Sequence, residues 1–348
     1  MTELITAEYA LSILPARPGD AHKYTFGKVL VVAGSPQYPG AAALATAGAA
    51  RAGAGLVCLA TGRSSAGGPG RIPEVIYALL PEVEWGVLGE GAADELLKSL
   101  AEYKSLLVGP GLGREEPTKR FLERLLGLEA PRPKSRIGFG RGTDAAAAGG
   151  ERPELPPTVL DADALYLLSQ HLAPTPERRN EFFLRSSSSA DEPQAPPTPA
   201  AEEGSFSWWE QLPRGRCVLT PHAGEMARLL GVTEVNGDAE QIAADAALRW
   251  GQIIVLKGPA TIIAHPEGRI LRHDGANPAL ATAGTGDVLA GVITALLGQG
   301  LSPFDAAALG VYLHGAAGQL VLADLGDMGA IASDLLPRLP LAIKALRG

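Results

Sequence analysis

Residues 28–33, KVLVVA, form an uninterrupted apolar run closed by Gly34-Ser35, and no other stretch constrains the fold as tightly. A strand with one face in water alternates apolar and polar side chains; a continuous run like this one belongs to a strand buried on both faces. Gly40 then opens an alanine-rich helical segment, GAAALATAGAARAGAG, and a second apolar run, LVCLAT, begins at Leu56. Strand, glycine turn, helix and strand within about 35 residues make the βαβ unit of a parallel sheet. Further runs of buried-strand type are SLLV at 105–108, TVL at 158–160, CVL at 217–219 and IIVL at 253–256. With 46% hydrophobic but only 5% aromatic residues and 43 glycines, Ala, Leu and Val must fill the core, and helices can approach strands closely. The chain is predicted to be α/β, with a mostly parallel central sheet flanked by helices.

Two segments break this pattern. Residues 131–154 (PRPKSRIGFGRGTDAAAAGGERPE) and 174–204 are rich in Pro, Ser, Ala, Gly and charge, and the second contains SSSSADEPQAPPTPAAEEG. Such compositions bury too little apolar surface to offset ordering entropy, so both are predicted to be disordered, low-complexity insertions in one domain spanning 1–348. Trp208-Trp209 is expected to dock the end of the second. The net charge of −8, without a basic cluster, argues against a nucleic-acid partner. Cys58 and Cys217 sit in apolar runs and are expected to be buried and reduced, as in the cytoplasm. No apolar run reaches about 18 residues without polar interruption, so no membrane span is expected. The first twenty residues, acidic and ending in Pro and Asp, are unlike a secretion signal.

In open parallel sheets, ligands bind beyond the carboxyl ends of the strands. The run at 105–108 leads into Gly109-Pro110-Gly111-Leu112-Gly113, and that at 158–160 into Asp161-Ala162-Asp163. The run at 217–219 leads into Thr220-Pro221-His222-Ala223-Gly224-Glu225, and that at 253–256 into Lys257-Gly258-Pro259-Ala260-Thr261. A fifth feature is ATAGTGDVLAGVITALL at 281–297, where Gly284-Thr285-Gly286-Asp287 precedes apolar residues at helical spacing. Asp287 could cap this helix, a common job for Asp, or stand at a phosphate site on the helix N-terminus. Each strand end has an ordinary explanation as a turn, a cap or a solvated charge; five in one chain are harder to explain that way. GxxxxGK[ST], GxSxG and zinc-type Cys/His spacing are all missing, and Arg114 stands where GxGxxG needs its third glycine.

These residues resemble those of the ADP/ATP-dependent NAD(P)H-hydrate dehydratases, which have a ribokinase-like fold. The similar stretches are HKYTFGKVLVVAGSPQYPGAA, RAGAGLV, LLVGPGLG, VLDADAL, LTPHAGEMARLLG, VLKGPATIIA, NPALATAGTGDVLAG and YLHGAAG, in family order and outside the two insertions. The resemblance implies ADP- or ATP-dependent dehydration of the S form of NAD(P)H hydrate, with Mg²⁺ and without the epimerase activity of two-domain relatives. It implies that Gly284, Thr285 and Gly286 form an anion hole for the transferring phosphate and that Asp287 accepts the proton of the substrate hydroxyl. By the same matching, Lys257, Gly258, Pro259, Ala260, Thr261 and Gly286 contact the adenine nucleotide. Ala42, Gly111, His222 and Asp287 contact the hydrate. Glu225, through water, and Asp161 are the expected metal contacts, with Asp163 as a supporting acid. A homo-oligomer, a tetramer, is also implied. Tyr24, Tyr166 and Ala283 depart from the family pattern, the first and last standing where glycine is common and Tyr166 where Asn is usual.

The same acid and anion hole would serve a ribokinase-group kinase acting on a vitamin-precursor alcohol, and a non-catalytic scaffold would need neither. LTPHAGE and LKGPAT resemble the dehydratases rather than the kinases. Deleting residues 176–201 is expected to leave turnover nearly unchanged; a large loss in a steady-state assay would identify that segment as a lid.

Overall fold

Residues 2–67, 72–128, 153–171 and 207–348 are described by a computed structural model. The expected insertions therefore lie almost wholly outside the described residues. The apolar runs become strands because each can bury both faces. In β2 (Lys28–Val32), Val29 and Val31 enter one core while Leu30 and Val32 enter the other.

Ten strands form the main sheet: β1 (Thr2–Leu4), β2, β3 (Leu56–Gly62), β4 (Ile76–Leu80), β7 (Ser105–Val108), β8 (Thr158–Leu160), β9 (Cys217–Leu219), β10 (Ile253–Leu256), β11 (Ala260–Ala264) and β12 (Ile270–Asp274). Their order is β1-β12-β11-β10-β9-β8-β7-β2-β3-β4. From β10 to β4 every neighbouring pair is parallel, while β11 runs antiparallel to both β10 and β12. A separate ribbon pairs β5 (Glu82–Glu84) with β6 (Val87–Leu88). Strand order runs outward in opposite directions from β2 and β7, so the crevice between their carboxyl ends is the topological switch point.

Among the described residues the helices are α1 (Ala7–Ser12), α2 (Pro39–Arg51), α3 (Glu90–Leu97), α4 (Glu116–Leu126), α5 (Asp163–Ser169), α6 (Ala223–Leu230), α7 (Ala239–Trp250), α8 (Thr285–Gly298), α9 (Pro303–Leu325) and α10 (Leu335–Arg347). Helices α2, α8, α9 and α10 cover one face of the sheet, and α3 to α7 cover the other. Trp208 is fully buried in the second core, with its ring 5.7 Å from that of Trp250; the insertion before it lies outside the described residues. Cys58 and Cys217 are buried and free.

Helix α9 is 23 residues long and, among the described residues, the one helix long and apolar enough to cross a bilayer by length and composition. It is apolar because it packs on α8, α10 and the sheet edge together, and 67% of its most apolar stretch is buried within the fold.

Small residues let α2 and α8 meet backbone to backbone. A Cβ on Gly48 would lie 2.6 Å from the Val288 carbonyl oxygen, and one on Gly291 would run into the Ala45 carbonyl. Gly291→Ala is therefore expected to destabilise the fold by about 1–3 kcal/mol through overpacking. Gly40→Ala, which meets nothing within 4 Å, is expected to be neutral or slightly stabilising. Denaturant unfolding of the two variants checks this pair of outcomes.

Candidate active site

Helix α8 begins with the switch-point edge of the sheet beneath it. Gly284 is its N-cap, with φ +92° and ψ −11°, a conformation that favours glycine, and no side chain caps the helix. Thr285 holds the first turn in place. Its hydroxyl is 3.0 Å from both the Leu280 and the Thr282 carbonyl oxygens, and its own carbonyl accepts from His314 Nε2 at 2.9 Å. A carbonyl can only accept, so Nε2 carries the proton. Burial holds the His314 pKa down, to about 4, and the imidazole stays neutral.

Every α-helix starts with N–H groups that have no partner inside the helix. Here the backbone N–H groups of Thr285, Gly286 and Asp287 make no hydrogen bond among the described residues. Asp287 is the third residue of the helix, and its carboxylate likewise has no hydrogen-bond partner among them. The capping alternative is thereby excluded: Gly284 occupies the cap and Asp287 faces away from that job. What remains is an open anion-binding helix end with an acid beside it.

Lys257 reaches this end from β10. Its Nζ lies 2.9 Å from Asp161 Oδ1 and 3.8 Å from Glu225 Oε2, and a Cβ on Gly286 would be 3.3 Å from the same nitrogen. Asp161, buried at the end of β8, also accepts from Thr220 Oγ1 at 2.7 Å. His222 caps α6: its Nδ1 accepts from the Gly224 and Glu225 amides at 3.0 and 3.3 Å, while Glu225 Oε2 accepts from the His222 amide at 2.9 Å. Burial, then the charges of Lys257 and Arg228, lowers the His222 pKa; with Nδ1 accepting, Nε2 carries the proton, 3.6 Å from Glu225 Oε1.

The charges set one another. Burial pulls the Lys257 pKa down, but the carboxylates of Asp161 and Glu225 outweigh it and the net shift is upward. Burial raises Glu225, with Lys257 opposing and Asp161 adding. Asp287 is pushed up to about 7, foremost by burial and then by Asp161, with Lys257 opposing. Burial and the neighbouring acids thus outweigh Lys257 and hold the proton on Asp287 well above the usual carboxylate range.

The switch-point side is lined by backbone. Gly34 (φ +83°) and Gly111 (φ +60°) bring the ends of β2 and β7 against the start of α2, where Ala42 is buried. A Cβ on Gly109 would collide with the Asp161 carbonyl. Ala162 is the one described non-glycine residue with positive φ (51°, ψ −117°); this strained turn separates Asp161, facing Lys257, from Asp163, which accepts from the Gly113 amide and from Arg114.

Asp161, His222, Glu225, Lys257, Gly284, Thr285, Gly286 and Asp287 are thus gathered at one sheet edge, with Ala42 and Gly111 at the adjacent crevice. Gly258 and Pro259 form an exposed turn beyond Lys257, and Ala260 and Thr261 open β11 rather than continuing a loop. The sequence reading missed the supporting roles of Thr220 and His314. LTPHAGE and YLHGAAG contain both, but a hydrogen bond to a distant element leaves no spacing to read.

Residues 29–132 and 203–340 match the NAD(P)H-hydrate dehydratase family. The chain belongs to this family. It is 37% identical over 346 residues to the bifunctional NAD(P)H-hydrate repair enzyme Nnr of Moorella thermoacetica, covering 99% of this chain and 54% of that protein. It is 31% identical to the ADP-dependent (S)-NAD(P)H-hydrate dehydratase of Neisseria meningitidis, covering 93% of this chain and 88% of the relative. The chain thus spans about half the length of most curated relatives it matches. Among solved structures, the Bacillus subtilis ADP/ATP-dependent NAD(P)H-hydrate dehydratase, co-crystallised with ATP/Mg²⁺, superposes with TM-score 0.69 at 26% identity over 99% of both chains. The ribokinase-like fold expected for a family member is the one observed.

In this dehydratase-family chain Asp287 holds its proton up to about pH 7, against the ordinary 3.8. Between those values the folded state binds more protons than the unfolded chain, so stability falls as pH rises through that window. Asp287→Asn cannot ionise. It is expected to melt like the wild type at pH 4 and at a higher temperature at pH 8; equal melting temperatures at both would mean that Asp287 ionises in the fold without cost.

Proposed function

We propose that the chain is an ADP- or ATP-dependent (S)-NAD(P)H-hydrate dehydratase, a hydro-lyase of metabolite repair. The observation that carries this is the uncapped start of α8: three N–H groups without partners beside an unpartnered, proton-poised Asp287. The name of the Neisseria relative and the ATP/Mg²⁺ complex of the Bacillus structure support it.

In this reading the terminal phosphoryl group of the nucleotide rests on the N–H groups of Thr285, Gly286 and Asp287 while Lys257 offsets its charge. Asp287 accepts the proton of the ring hydroxyl as that oxygen forms its bond to phosphorus and the phosphoanhydride bond breaks. The ring nitrogen lone pair then expels phosphate, and loss of the neighbouring carbon-bound proton restores the dihydropyridine. The products are NAD(P)H, phosphate and the shortened nucleotide. Residues 257–261 and Gly286 hold the nucleotide; Ala42, Gly111 and the Nε2 of His222 hold the hydrate.

Magnesium fits this site in a particular way. Among the described residues no group of three or more His, Cys, Asp or Glu is disposed to hold a metal ion. Asp161 and Glu225 each spend an oxygen on Lys257. Such an oxygen set suits a Mg²⁺ that is carried on the nucleotide phosphates, keeps most of its water and meets Asp161 and Glu225 through it. Its contribution when bound is to neutralise phosphate charge.

The same reading includes a single domain interrupted at 131–154 and 174–204, a cytoplasmic location that suits the two buried thiols, and a homotetramer. Ile76, Leu79, Val83 and Trp85, exposed on edge strand β4 and the β5–β6 ribbon, offer an apolar surface for self-association.

Wild-type protein with hydrated NADH, Mg²⁺ and either ADP or ATP is expected to restore absorbance near 340 nm. Asp287→Asn should lower turnover by about 10²–10⁴-fold with nucleotide binding kept. Wild-type kcat/KM should rise with pH through about 7 as Asp287 loses its proton. Wild-type turnover in Asp287→Asn, or phosphorylation of a vitamin alcohol without NADH recovery, refutes the proposal.

A further inference from the structure

Arg114 stands one residue beyond the GPGLG turn, on the rim of the switch-point crevice. Its Nε donates to Asp163 Oδ1 at 2.6 Å, and the other oxygen of that carboxylate accepts from the Gly113 amide at 3.1 Å. The guanidinium carbon lies 4.3 Å from the centroid of the Tyr166 ring. One edge of the guanidinium is therefore fixed by an anchored carboxylate and one face by an aromatic ring, although the side chain is 53% exposed. Its two Nη groups make no hydrogen bond among the described residues. Floor and rim are joined: a Cβ on Gly111 would lie 2.6 Å from the Cβ of Tyr38, and Tyr38 and Tyr166 both act electrostatically on Arg114.

A planar fork held still, with a pair of donors left open, matches the oxygens of a phosphate. Stacking on Tyr166 and the bond to Asp163 remove most of the side-chain entropy that an exposed arginine would lose on binding. Asp163 balances the charge of Arg114, so what the pair offers a phosphate is two directed Nη donors rather than net positive charge.

We propose that Arg114, positioned by Asp163 and Tyr166, forms a phosphate subsite for the dinucleotide substrate, separate from the anion hole on α8. The inference rests on the dehydratase reading for the identity of that dinucleotide. The phosphate is the pyrophosphate bridge or the 2′-phosphate of the NADPH form.

The test is equilibrium titration with NADPH and NADH, followed by nicotinamide fluorescence, beside titration with ADP. Arg114→Ala is expected to weaken reduced-dinucleotide binding by about tenfold or more, with ADP affinity unchanged. Equal weakening for NADH and NADPH identifies the pyrophosphate; weakening for NADPH alone identifies the 2′-phosphate. Arg114→Lys should recover the loss only in part, since a point charge lacks the fork. Tyr166→Ala should weaken binding by about two- to fivefold, and Tyr166→Phe, which keeps the ring, should not. The proposal is overturned if the wild type shows no saturable NADPH binding, if Arg114→Ala binds both dinucleotides like the wild type, or if ADP affinity falls in step. The wild-type turnover assay tests the dehydratase reading independently, so the two can fail separately.

Discussion

The ion pair between Lys257 and Asp161 is the interaction on which the site depends. It joins the ends of β10 and β8 beneath the start of α8, with Thr220 from the end of β9 donating to the same Asp161 oxygen. A buried ion pair adds little net stability, because desolvating both charges offsets most of their attraction. Its value here is local. The charge of Asp161 raises the pKa of both Glu225 and Asp287, Glu225 adds to the rise at Asp287, and Lys257 is the cation that opposes this at both. Without it, three acids would crowd the open start of α8 with no cation among them.

That helix end could not reach the sheet edge if the chain were built from larger residues. Gly48 and Gly291 let α2 and α8 touch through backbone, and Gly284 turns the entering loop through a conformation that few residues adopt. The low aromatic content and the abundance of Gly and Ala are consequences of this geometry. The α2 helix brings Ala42 to the crevice while its other end supports α8, so the crevice and the open helix end are held by one contact between helices. A shift of one helix moves both.

Much of this was legible in the sequence. The runs at 105–108, 158–160, 217–219 and 253–256 coincide with β7, β8, β9 and β10, because strands buried on both faces announce themselves as apolar blocks. Parallel pairing then puts their carboxyl ends on one side, which is why the residues following those strands converge. Strand β4, with exposed Ile76 and Leu79, and the β11–β12 hairpin were missed, since edge and antiparallel strands carry a weaker, mixed pattern. The site residues were identifiable by chemical type and position. Their supports were not: Thr220 acts on Asp161 from 59 residues away, and His314 on Thr285 from 29. Nor does any local pattern foretell that Ala162 takes a positive φ.

A carboxylate in the first turn of a helix is ordinarily stabilised by the helix dipole and titrates low. The fold reverses this. Burial outweighs the dipole, Asp161, Asp163 and Glu225 add repulsion, and the carboxyl finds no hydrogen bond to favour its charged form. Capping would have done the opposite: an Asp at position 284 would spend its oxygens on the very N–H groups that now stand open. Glycine at the cap and aspartate three residues later therefore belong to one arrangement. It leaves the first N–H groups of the helix open and the acid three residues on without a hydrogen bond among the described residues, its pKa raised to about 7.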